Sequence, residues 1–214
     1  MANFLRLIEI GKLQMGRNNP AYAATQSATP LDFSARNAAG EQALRTFQFV
    51  VKMFPQHADA WLWLGIAETE TLHCSKDHPE GQPIASKEKL QEAIQNFRKA
   101  YELRPDDLII VSYYGEALIS YGNDFPTARK LWETYLTVAD TDLHRVTAHV
   151  QTARACLNQA YFGKAEKMPA AEIKQLYTDA ERYVKQAAKI CPNDEDVKEM
   201  QSLLQQYRKS LIGK

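Results

Sequence analysis

Apolar side chains recur along this chain at the three- and four-residue spacing of a helix face, and one spaced set returns four times. Ala43, Phe47, Val50 and Pro55 stand 4, 3 and 5 residues apart, and Ala93, Phe97, Ala100 and Pro105 keep those intervals. Ala180, Val184, Ala187 and Pro192 keep them again, and Ala128, Trp132 and Tyr135 do so with Asp140 in the proline's place. Each set puts a small, a large and a small or medium side chain on one helical face, followed by a stop. Proline has no N–H to donate and restricts the residue before it, so it ends one helix and turns the chain into the next. The small residues let neighbouring helices approach, and Phe47, Phe97 and Trp132 fill the space beyond. Strand-type alternation is scarce, and the 9 glycines and 9 prolines fall mostly between helical stretches, so the pattern predicts a helical protein throughout.

A second set precedes each copy. Trp61, Leu64 and Gly65 begin 6 residues after Pro55, and Val111, Tyr114 and Gly115 begin 6 residues after Pro105. Leu7, Ile10 and Gly11 match near the N-terminus, and Val146, His149 and Val150 stand in the same register as a poor match. Together the two sets resemble the tetratricopeptide repeat, a helix–turn–helix of about 34 residues patterned W-x2-L-G-x2-Y, then A-x3-F, then P. The resemblance covers nearly the whole chain and is strongest from Trp61 to Pro105, where Glu68 stands in place of an aromatic.

The resemblance implies an all-α fold, a right-handed α-α superhelix of helical hairpins forming one solenoid domain over residues 1–214. Its units fall at residues 3–55, 57–105, 107–140 and 142–192. Residues 194–212, with one apolar stripe of Val197, Met200, Leu203, Leu204, Tyr207 and Leu211, suit a capping helix. The interval from Ala43 to Ala93 is 50 residues, from Ala93 to Ala128 it is 35, and from Ala128 to Ala180 it is 52. The first, second and fourth units therefore carry insertions between their two helices. In the first, Gly16 to Pro20 and Ser27 to Pro30 read as loop. In the second, His73 to Ala85 reads as loop, with Ser86 as an N-cap. In the fourth, Gly163 to Pro169 is a short break between two long helices. Such insertions would emerge along one edge as a partner site, or they are lengthened helices and surface loops.

Lysine plus arginine, at 26, equals aspartate plus glutamate, at 26, and the basic residues are spread among acidic ones, so no nucleic-acid stripe is expected. No apolar run approaches the ~20 residues that cross a bilayer, so no membrane insertion is expected. Arg6, Glu9 and Lys12 interrupt the first 15 residues, which do not read as a signal peptide. Cys74, Cys156 and Cys191 are odd in number without CxxC spacing, which points to a reducing, cytoplasmic setting, with Cys156 and Cys191 as core fillers. Trp61 is expected in the core and Trp63, two residues on, elsewhere.

The chain lacks GxSxG, a P-loop, GxGxxG after a strand and HExxH, so neither catalysis nor a cofactor is expected. His73, Cys74, Asp77 and His78 are ligand types for a metal, but their spacing fits no common zinc motif, and they read as solvated loop. His144 and His149 lie 5 apart on a helix and face different ways. Asp106, Asp107 and Asp194 to Asp196 sit where helices begin, as caps. The resemblance implies a concave groove lined by the first helix of each unit. Its places fall on Asp59, Leu62, Ile66, Thr69 and Glu70, on Ser112, Glu116, Ile119 and Ser120, and on Thr147, Gln151 and Arg154. One subclass carries a carboxylate clamp for chaperone tails; its places are held here by Leu62, Ile66, Ser112 and Glu116, so that clamp is absent. The expectation is a non-enzymatic adaptor that holds a peptide or helix of a protein partner. The alternative is a self-associating homo-oligomer using the helix from Asn3 to Met15 and Trp63.

Overall fold

The stops and caps read from the sequence end and begin helices in the computed structural model, which describes residues 2–16, 33–72 and 87–213. The helices are α1 (Ala2–Gly16), α2 (Phe33–Met53), α3 (Ala58–Leu72) and α4 (Lys87–Leu103), then α5 (Leu108–Ala117), which runs on into a π-helical turn (Leu118–Gly122). They continue as α6 (Phe125–Val138), α7 (Asp142–Ala165), α8 (Ala170–Ile190) and α9 (Glu195–Ile212). No strand occurs among the described residues. Pro55, Pro105 and Pro192 each stand two residues beyond the end of a helix. The Asp107 carboxylate accepts from the Ile109 and Ile110 N–H groups at 2.9 and 3.2 Å, and Asp194 accepts from Val197 N–H at 3.0 Å. These bonds satisfy first-turn donors that a helix leaves open.

The helices gather into two compact units, Met1–Pro105 and Asp106–Lys214. In the first, α1 packs on α2 and α3, and α3 on α2 and α4. In the second, α7 packs on α6, α8 and α9, and α5 on α6. Contacts thus run between helices next or next but one in sequence. Each unit is a stack of helical hairpins, the all-α solenoid arrangement that the resemblance implies.

The repeated set forms the core. Ala43, Ala93, Ala128 and Ala180 are all fully buried on second helices, with Phe47, Phe97, Trp132 and Val184 buried beside them. The glycine of each first helix faces the large residue of its own hairpin. A Cβ at Gly11 would lie 2.4 Å from the Phe47 ring, at Gly65 2.8 Å from Phe97, and at Gly115 2.6 Å from Trp132 Nε1. Glycine here permits helix axes to close onto an aromatic side chain. The fourth hairpin solves the same problem by exchange, with Val150 in the glycine's place and Val184 in the aromatic's, both buried in the second unit's core.

The extra length of the fourth repeat is helix: α7 has 24 residues and α8 has 21, with a short break between them. The Tyr177 hydroxyl donates to the Leu204 carbonyl at 2.7 Å, and the Lys164 ammonium donates to the Ser210 carbonyl, so α9 is tied to this lengthened hairpin. The insertion residues 17–32 and 73–86, including Ser27 to Pro30 and the Ser86 cap, lie outside the described residues.

Two expectations are corrected. Cys156 is fully buried, but Cys191 is exposed, because it follows the last residue of α8 and has left the apolar stripe. Trp61 is only half-buried; its Nε1 donates to the Pro55 carbonyl at 2.8 Å and braces the turn into α3. Trp63 stacks on Phe47 with centroids 6.2 Å apart, and the Lys12 ammonium lies 4.8 Å from its ring, so it joins α3 to the first hairpin.

Candidate partner-binding face

First-helix positions differ between the two units. In the first, Leu62 and Ile66 are buried. Thr69 is half-buried and its hydroxyl donates to the Ile66 carbonyl at 2.9 Å. Glu70 lies on α3, and its side chain is outside the described set. Asp59 is held by both terminal nitrogens of Arg104, at 2.7 and 3.3 Å.

In the second unit the corresponding face is more open. Ser112 is half-buried and donates to the Ile109 carbonyl at 2.8 Å, Ile119 is buried, and Glu116 and Ser120 are exposed, Ser120 within the π turn. On α7, which touches that turn, Thr147, Gln151 and Arg154 are half-buried and stand 4 and 3 residues apart on one stripe. The opposite side of α7, with Cys156 and Ala160, is core, and buried Val150 and Leu157 flank the stripe. Asn158 and Tyr161 extend the stripe at intervals of 4 and 3, one half-buried and the other exposed. The sequence reading missed them because it stopped at the usual repeat length, although the helical spacing continues through both. An Arg154 terminal nitrogen lies 3.5 Å from the Glu199 carboxylate of α9, and Arg154 Nε is buried with no acceptor among the described residues.

Glu68 produces a different feature. An open cavity of about 410 Å³ lies where the repeat pattern has an aromatic, lined by Gln48, Leu64, Glu68, Glu92, Gln95 and Asn96. Asn96 Nδ2 donates to the Glu68 carboxylate at 2.7 Å. Burial pushes the Glu68 carboxyl up to about 7, against the pull of the Asn96 bond and with a smaller push from Glu92.

The second unit also carries a partly buried polar network. Arg129 donates to Glu133 at 3.0 Å and lies 3.6 Å from Asp179, while the Tyr183 hydroxyl donates to Glu133 at 2.8 Å. Burial pushes the Cys156 thiol up to about 11, which keeps it a neutral core group. The two histidines engage different partners: His144 Nδ1 lies 2.7 Å from Asp140, whereas the His149 ring packs on Tyr183 and burial lowers its pKa. Among the described residues no group of three or more metal-ligand side chains comes together, and His73, Cys74, Asp77 and His78 lie outside that set. No helix among the described residues is long and apolar enough to cross a membrane. The α7 face presents hydrogen-bonding groups, one guanidinium and an aromatic end.

Hairpins stacked through a glycine–aromatic contact, with a small residue fixing each second helix, define an α-helical repeat protein. Residues 40–71, which span the end of the first hairpin and the start of the second, match the tetratricopeptide repeat family model. That stretch carries a tetratricopeptide repeat, and proteins with such repeats are generally non-enzymatic scaffolds for contacts between proteins. Among solved structures it is similar to TTC0263, a thermophilic TPR protein of Thermus thermophilus. The identity is 14%, covering 92% of this chain and 99% of that one, with a TM-score of 0.49. It is also similar to a double mutant of MamA RS-1, at 17% identity over 82% of this chain and 88% of that one, with a TM-score of 0.44. No curated protein matches the chain.

Proposed function

We propose that this chain is a cytoplasmic, non-enzymatic adaptor that holds a peptide or helix of a protein partner on the first-helix face of its second unit. The observation that carries this reading is the α7 stripe: Thr147, Gln151 and Arg154 stay accessible while the other side of the same helix is core. Glu116 and Ser120 extend the accessible surface from the neighbouring hairpin. A partner helix laid there would bury apolar side chains and make a few directed hydrogen bonds. The competing reading, self-association through Trp63, is disfavoured because that ring is already packed against Phe47 under Lys12.

The test is partner capture from source-cell lysate by wild type and by a Glu116→Ala/Arg154→Ala double variant. The expected result is capture by wild type and a loss of about tenfold or more in the variant, with equal melting temperatures. Equal capture by both would refute the face. No capture at all, with a molecular mass by light scattering that grows with concentration, would support self-association.

A further inference from the structure

The α7 stripe ends at two exposed rings. Tyr161 and Phe162 are 48% and 44% exposed, with centroids 5.5 Å apart and planes at 90°. Each also packs on a ring of a neighbouring helix. Tyr161 meets Tyr207 of α9 with centroids 5.2 Å apart, and Phe162 stacks on buried Phe125 of α6 at 5.4 Å. The pair is therefore braced from two helices while much of each ring stays open to solvent. Adjacent large apolar side chains left open in this way mark a contact surface more than a lone exposed leucine does.

Leading to the rings, the stripe carries neutral hydrogen-bonding groups. The side chains of Thr147, Gln151 and Asn158 make no hydrogen bond to another described residue. Arg154, the one charged member, has Glu199 of α9 at 3.5 Å, so its charge is met within the chain. Such a stripe suits main-chain carbonyls rather than ions. A helical ligand uses its carbonyls on its own N–H groups, whereas a polyproline II segment turns them outward, unpaired. Thr147 and Tyr161 are 14 residues apart, about 21 Å along the helix, which is the length of about 7 residues of polyproline II.

Of the two ligand forms that the face reading admits, we propose that the site takes an extended, proline-rich segment of the protein partner. Its prolyl rings pack on Tyr161 and Phe162, and its carbonyls accept from the Gln151 and Asn158 amides. Proline suits this place twice over: its ring packs well on aromatic side chains, and its preset backbone has little freedom to lose on binding.

The test is a titration of the full chain with acetyl-octaproline amide. It is followed in ¹H–¹⁵N spectra by the side-chain amide of Asn158, assigned by its disappearance in Asn158→Asp. A capped glycine–serine octapeptide and a capped helical peptide of alanine, glutamate and lysine, at matched ionic strength, are the controls. The expected result is a saturable shift with octaproline alone. Binding should weaken about tenfold or more in Tyr161→Leu and in Phe162→Leu, which keep apolar bulk at exposed positions and remove the ring. No saturable shift with octaproline, an equal or larger response to either control, or wild-type affinity in either leucine variant would overturn the proposal. The proposal rests on the face reading, and the two fail separately. Octaproline binding with lysate capture indifferent to Glu116→Ala/Arg154→Ala would overturn the face reading and leave the proline site standing. No octaproline binding, with capture lost in that variant, would leave the face and remove its preference for proline.

Discussion

Replacing Gly65 with alanine sets two effects of known size against each other. In a helix interior alanine is favoured over glycine by about 1 kcal/mol, so the substitution taken alone should stabilise α3. The added Cβ, however, would lie 2.8, 2.9 and 3.0 Å from three carbons of the Phe97 ring. Carbon atoms sit comfortably at about 3.5–4.0 Å, so the ring must withdraw by roughly 0.7 Å. It has little room, because Phe97 is only 1% exposed and is flanked by fully buried Ala93 and Ala100. Overpacking of this kind costs about 1–3 kcal/mol, and the net expectation is a loss of up to about 2 kcal/mol. Urea unfolding followed by circular dichroism would measure it, with Phe97→Leu and the double variant completing a cycle. Phe97→Leu opens the space the new methyl group needs, so the double variant should be no less stable than Phe97→Leu alone, with a coupling of about 1–2 kcal/mol. A higher midpoint for Gly65→Ala, or strict additivity in the cycle, would refute the glycine–aromatic contact as the reason for the repeat's glycine.

Two further outcomes follow from the same geometry. Val184→Phe should cost about 1–3 kcal/mol by overpacking against Val150, and adding Val150→Gly should recover much of it; unfolding midpoints that show no recovery would remove the exchange argument. Glu68 should make stability depend on pH. Its folded value of about 7 lies above the ordinary 4.5, so the folded chain holds this proton more tightly than the unfolded chain. The stabilisation is therefore complete below about pH 4.5 and is lost as pH rises through 7. Glu68→Gln should stabilise the chain at pH 8 by about 1–2 kcal/mol after discounting for solvent screening, and should flatten the slope between pH 5 and 8. Identical slopes for wild type and variant would refute it.

The second helices were legible because three chemically distinct positions, small, large and small, recur at fixed intervals, and each of Ala43, Ala93, Ala128 and Ala180 is buried. The capping roles of Asp107 and Asp194 were legible for a local reason: their hydrogen-bond donors are two or three residues away. The α7 face was legible only in part. Register places Leu62 and Thr147 at comparable first-helix positions, but it does not say which side chain the neighbouring helices will cover. The Arg104–Asp59 and Tyr183–Glu133 contacts join residues 45 and 50 apart, and no periodicity reports such pairings. Cys191 looked like a core position because it follows an apolar helix face; the helix had already ended.

The exchange of volumes in the fourth hairpin also bears on misassembly. In repeat proteins a first helix can pair with the second helix of the wrong hairpin, within one chain or between two chains. The glycine-bearing helices α1, α3 and α5 all accept a large side chain, so packing alone distinguishes poorly among α2, α4 and α6 as mates. Val150 would collide with Phe47, Phe97 or Trp132, and Val184 would leave a void against Gly11, Gly65 or Gly115. The α7–α8 pair is thus sterically orthogonal to the others, a lock that accepts only its own key and fixes the C-terminal end of the array in register.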